Sequence, residues 1–160
     1  MTYRGSYTTA SGKSVTALLN QFAEHAEADL GAILYVEASG IIDQAKGIVP
    51  VDTGTLAGSG YVAEPVRDGN KVRVDLGFGG PAAKINPKTG ESSEGYALHV
   101  HEDLESFHPS GGIALYLEIP FRDAKRGMGT RIAEGLRKRA FSRFGTKMGT
   151  ALGEVADGPA

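Results

Sequence analysis

Three groups of residues in this 160-residue chain have the types and spacing to do chemistry. The first is Asp52-Thr53-Gly54, inside "IVPVDTGTLAGSG", Ile48 to Gly60. Asp-Thr-Gly is the form in which aspartic proteases carry the carboxylate that activates water. That chemistry needs two carboxylates sharing one proton, because like charges so close cannot both ionise. The chain has a single Asp-Thr-Gly, so an aspartic hydrolase would need two copies of it. The tripeptide also follows Pro50 and a helix-like pattern rather than an apolar strand, which is the wrong context for a catalytic loop. The second group is His99, His101 and His108, with Glu102 beside them. On a strand, His99 and His101 would point the same way, and two imidazoles with a third histidine or a carboxylate can hold Zn²⁺. No His-Glu-x-x-His is present, and the plainer expectation is a polar strand edge at a subunit contact. There the imidazoles would make assembly sensitive to pH near 6. The third group is the run from Arg122 to Lys147, with nine Lys or Arg against Asp123 and Glu134. It carries +7 in a chain of net −2, so the remainder carries −9. Such a run faces nucleic acid, an acidic protein surface, or simply water. "GFGG" and "RGMGT" lack the Gly-Lys-Ser/Thr of a P-loop and read as breaks.

For Asp52 the sequence also offers a structural role. Pro50 stops a helix. The Asp52 side chain can accept from the backbone N–H of Gly54 or Thr55 in an Asx-type turn, with Thr53 between them. Gly54 supplies backbone freedom, Leu56 tucks against the helix end, and the chain enters a strand at Ser59.

The elements around these residues follow from periodicity. Val15, Leu18, Leu19, Phe22, Ala26, Leu30, Ile33, Leu34, Ile41, Ala45 and Ile48 recur in mostly three- and four-residue steps and predict an amphipathic helix of about 30 residues, roughly 45 Å long. Gly31 and Gly40 are expected to weaken and bend it. "SGYVAEPV" and "KVRVDLGF" predict two strands joined through the Asp-Gly of "RDGN". Gly79 to Gly95 reads as a long mobile loop, and "YALHVHE", Tyr96 to Glu102, as a third strand. "IALYLEIPF" has an ambiguous boundary at Pro120. Phe121, Ala124, Met128, Ile132, Leu136, Ala140 and Phe144 then mark a helical stripe interrupted at Gly127 and Gly129. The expectation is one α+β domain over residues 1–145: a long N-terminal helix, a small antiparallel sheet and a C-terminal or broken helix. An N-terminal arm (1–13) and a flexible tail (146–160) flank it. No cysteine is present, so disulfides and thiolate metal sites are excluded. No run of about 18 apolar residues predicts a membrane span, and the N-terminus lacks a signal-peptide core, so synthesis in the cytoplasm is expected.

"VPVDTGTLAGS" after a helix, then a hairpin, then "YALHVHE", then "GGIALYLEIPF" resembles the tail-completion, or minor capsid and neck, family of long-tailed bacteriophages. The likeness runs over roughly Ile33 to Ala140, with the Asp52 segment its most specific part. The Gly79–Gly95 loop is longer than that pattern, and "HVHED" stands where a glutamate and a Phe-Gly pair are more usual. The resemblance implies a virion protein without enzymatic activity or cofactor. It implies a homo-oligomeric ring, a hexamer or a dodecamer, at the head–tail junction. Its neighbours there would be head-closure or adaptor proteins and tail-terminator or tail-tube proteins, with transient contact to exiting DNA. In such a ring Tyr96, His99, His101, Glu102, His108, Arg122, Arg126, Arg137 and Arg139 are candidate interface residues, and the basic segment of one subunit would meet acidic surface of the next. The rival expectations are a metal-dependent or aspartic hydrolase and a small DNA-binding protein.

Overall fold

The computed structural model describes residues 15–69, 71–105 and 111–153. The protein is α+β. Its internal contacts divide it into two compact units, Met1–Leu30 with Arg131–Ala160, and Gly31–Thr130, where the sequence pattern suggests one domain. The first helix, α1 (Val15–Ile48), contributes to both. It is continuous through Gly31 and Gly40. Gly31 is a point of close approach: a Cβ there would lie 3.0 Å from Pro65 Cβ. The small residue admits the hairpin.

Within the second unit, α1 buries Ile33, Ala38, Ile41, Ile42 and Ala45, a spacing that keeps one face inward. The chain leaves through buried Val49 and Pro50 and makes a short 3-10 turn at Ala57–Ser59. A hairpin follows in two paired segments. β1 (Gly60–Val62) pairs with β4 (Leu76–Phe78), and β2 (Val66–Asp68) with β3 (Lys71–Arg73), both antiparallel. Between the paired segments Ala63, Glu64 and Pro65 face only Val74 and Asp75, so the first arm carries an extra residue. Pro65 has no N–H for the ladder and sits where pairing lapses. On the returning arm Lys71, Arg73 and Asp75 are exposed while Val72, Val74 and Leu76 are half-buried, as strict alternation requires.

The expected third strand is a helix. "YALHVHE" lies in α2 (Ser93–Glu102). Its alternation is short enough to fit either period, and two signals favour the helix. Ser92 caps it, accepting from the Glu94 N–H at 3.3 Å, and Ser93 and Ala97 are both buried on one face. The Gly79–Gly95 stretch is likewise a hydrogen-bonded excursion, not a bare loop. The Ser93 N–H donates to the Lys84 carbonyl at 2.8 Å and the Asn86 N–H to the Glu91 carbonyl at 2.8 Å.

The segment after Gly111 closes the core. Ile113 donates its N–H to the Ile48 carbonyl at 2.9 Å, satisfying one acceptor left open at the end of α1. Gly112, at φ +103°, passes so close to Pro50 that any Cβ would overlap its backbone. Tyr116 is 2% exposed and packs with Val49, Leu56 and Ala97, flanked by Phe78, Tyr96 and Val100. Each fully buried large apolar side chain of this kind contributes about 1.5–3 kcal/mol. Leu115 holds a left-handed conformation, φ 56°, and turns the chain into α3 (Glu118–Lys125). Pro120 falls in the first turn of α3, where a missing N–H costs nothing. The chain breaks after Arg126, and α4 (Met128–Gly153) follows. It extends past the expected tail boundary at 146.

In the first unit, the early part of α1 and α4 bury Asp29, whose carboxylate accepts from Arg139 Nη1 at 3.3 Å and Arg143 Nη2 at 2.9 Å. Among the described residues, no helix is long and apolar enough to cross a membrane.

Candidate functional site

The polar residues of the second unit converge on the turn after α1. Asp52, expected to accept from its own backbone, does not hold that turn. Its carboxylate is exposed and paired with Lys88 Nζ from the Lys84–Ser93 excursion. Thr53 takes the local role, with Oγ1 accepting from the Thr55 N–H at 3.4 Å and lying 2.6 Å from Thr55 Oγ1. The physical reason is reach: the shorter threonine oxygen closes the local contact, leaving the carboxylate free for a cation. Gly54, at φ +75°, permits the reversal, and its carbonyl receives the Gly58 N–H at 2.8 Å.

Leu56 is buried in the core, and Ser59 is completely buried. The Ser59 hydroxyl donates to the Leu56 carbonyl at 2.7 Å and accepts from the Gly79 N–H at 3.1 Å. The Asx turn that the sequence suggests at Asp52 is found instead at Asn86, whose Oδ1 accepts from the Lys88 N–H at 2.9 Å. "NPKTG", Asn86 to Gly90, carries turn residues that signal it. Asn86, Lys88, Thr55 and Ser93 are the site residues that sequence reasoning passes over.

Tyr96 links these pieces. Its hydroxyl lies near the side chains of Thr55 and Asn86. Burial pushes its pKa above the usual phenol value, with the polar Thr55 and Asn86 side chains opposing the rise and the Glu91 and Asp52 carboxylates adding to it. Tyr96 is therefore a neutral hydroxyl at ordinary pH. Asp52, Thr53, Thr55, Asn86, Lys88 and Tyr96 form a polar clasp between the α1 exit, the excursion and α2, with the Asp52–Lys88 pair as its hydrogen-bonded link.

The histidines are not brought together as a strand would bring them. On α2, His99 is exposed, while His101 meets the buried Tyr116 edge-on, ring centroids 5.0 Å apart. Positions two apart on a helix lie on different sides, which removes the same-face argument for a metal. His108 lies outside the described residues. Among the described residues, no group of three His, Cys, Asp or Glu is placed to hold a metal ion. Glu102 is exposed at the end of α2.

The basic segment is divided between the units. Arg122 and Arg126 are exposed at α3 and its end, and Arg137 is exposed on α4. Arg139 is committed to Asp29. Asp29 itself carried no sequence signal beyond being an acid on an apolar stripe.

No protein-family model, curated protein or solved structure matches the chain.

Proposed function

We propose that this protein is a structural subunit of a bacteriophage neck, a tail-completion or head–tail joining protein that forms a ring between the DNA-filled head and the tail. The observation that carries this reading is the use made of the Val49–Ser59 segment, the most specific part of the resemblance. Its polar side chains are engaged in directing the chain. Thr53 and Thr55 hold the turn, Ser59 is buried against Gly79, and Asp52 clasps Lys88. A scaffold whose polar side chains at this turn serve geometry works through its outer surfaces. The long first helix and the hairpin stand in the order that the resemblance implies, while Tyr96 to Glu102, a strand in that pattern, is a helix here. The ring would be a hexamer or dodecamer. Its faces would meet head-closure or adaptor and tail-terminator or tail-tube proteins, and its lumen would pass DNA transiently. Strong phosphate contacts would grip sliding DNA, so the basic segment belongs at subunit or layer contacts.

The test is electron microscopy of particles made with and without this protein. The expected result is filled heads and free tails in its absence, joined when purified protein is added. Complete particles assembled without it overturn the proposal. So does a purified protein that cleaves a substrate and loses that activity in Asp52→Asn.

A further inference from the structure

Apolar burial is divided unevenly between the two units. The nine buried apolar residues among those described, from Ile33 to Tyr116, all belong to the second unit. In the first unit, Phe22 on α1 is 45% exposed and Phe141 on α4 is 76% exposed. Ala26, Leu136 and Ala140 are half-buried in the groove between these two helices. Among the described residues of this unit, Asp29 alone is buried. Its carboxylate is shared by Arg139 and Arg143, one turn apart on α4. No Lys or Arg occurs from Val15 to Leu30, so both of these countercharges come from the other helix.

The energetics follow. Apolar burial is the main force that holds packed helices together, and the described residues of this unit supply little of it. A buried ion pair adds little net stability, because desolvation offsets its attraction. A short helix without a packed partner is marginal in water. α3 ends at Lys125, and Gly127, at φ +71°, separates it from α4. α4 can therefore leave α1 without unwinding α3.

We infer that α4 is a releasable arm latched to α1 through Asp29. The first unit opens in a cooperative step of its own while the second stays folded. Closed, Asp29 holds both guanidinium groups, and Phe22, Ala26, Leu136 and Ala140 share one groove. Open, the same apolar side chains and both guanidinium groups are presented to a partner. The latch selects between a masked and a presented form of one surface. The device does not depend on the neck reading.

Hydrogen–deuterium exchange of the full-length protein, read by mass spectrometry, tests it. In the parent protein, amides of residues 20–30 and 131–143 are expected to exchange about tenfold or more faster than those of 38–48. Asp29→Asn is expected to raise exchange in 20–30 and 131–143 by the same further factor, and to leave 38–48 unchanged. The chain contains no cysteine, so Ala26→Cys with Ala140→Cys places the only two thiols in the groove. Closing them with a short bismaleimide is expected to slow both segments together. Circular dichroism checks that each variant is folded, and the parent and cross-linked proteins decide the matter if Asp29→Asn is not.

Parent segments that exchange as slowly as 38–48 overturn the inference. So does a cross-linked protein that keeps the parent rates. Acceleration of only one helix in Asp29→Asn would mean fraying rather than release, and equal acceleration of 38–48 would mean that the whole chain opens as one; either result overturns it too.

Discussion

The Gly79 N–H is shared by two oxygens of Ser59, the carbonyl at 3.1 Å and the hydroxyl at 3.1 Å. This fork joins the 3-10 turn before β1 to the chain leaving β4, where no solvent reaches Ser59. Replacing Ser59 with Ala removes the hydroxyl's donation to Leu56 and half of the fork. Because both partners are backbone groups, the expected loss is about 1–3 kcal/mol, read as a lower midpoint in urea denaturation.

Asp52→Ala is the contrasting case. Its partner Lys88 is exposed, as Asp52 is, and water hydrates each group once the pair is broken. Exposed pairs contribute about 0–1 kcal/mol, so the variant is expected to fold with nearly unchanged urea stability. A loss as large as that of Ser59→Ala would mean that the carboxylate also holds the turn.

The Asp29 cluster gives an asymmetric pair of variants in the first unit. Asp29 is buried, its side chain 6% exposed, while those of Arg139 and Arg143 are 43% and 41% exposed. Removing Asp29 lets both guanidinium groups turn to water. Removing both arginines leaves a buried carboxylate without the two guanidinium groups that pair with it. Arg139→Met with Arg143→Met is thus expected to cost about 3–5 kcal/mol, and Asp29→Asn distinctly less. Chemical denaturation of the two variants, compared with the parent protein, checks the order.

Burial, with a smaller contribution from Tyr96, pushes the Tyr116 hydroxyl up to about 12, and that hydroxyl donates to the Ala97 carbonyl at 2.8 Å. The raised pKa means that the folded state prefers the neutral phenol. Its contribution to stability is complete below pH ~10, the unfolded value, and is lost as pH rises from there through about 12. The size follows from the shift, roughly 2–3 kcal/mol. Absorbance at the tyrosinate band is expected to show one late-titrating tyrosine that is missing in Tyr116→Phe, and that variant's stability is expected to fall less between these pH values.

Gly112→Ala tests how the core is closed. The substitution sets a Cβ into the Pro50 backbone at a φ that side chains rarely adopt. A loss of more than about 2 kcal/mol is expected, since strain at such φ values alone costs about 1–3 kcal/mol. Gly90→Ala has an equally positive sign of φ but open space around it, and is expected to lose less. Thermal unfolding of both variants separates strain from overlap.

The α+β class, the long first helix and the hairpin with its alternating second arm could be read from the residues, because each is set by local periodicity. Val72, Val74 and Leu76 face inward for the same reason that they alternate. α2 could not, since seven residues satisfy both helical and strand periods until Ser92 caps the helix and Tyr116 supplies a surface for Ala97. The turn at Asp52 shows the same limit. Its location followed from Pro50 and Gly54, but which side chain would close it depended on Lys88, 36 residues further on. The clasp of Thr55, Asn86 and Tyr96 and the pairing of Asp29 with Arg139 and Arg143 are contacts between distant segments. Local propensity carries no information about them. They form because a buried polar group must find a partner wherever the packed chain brings one.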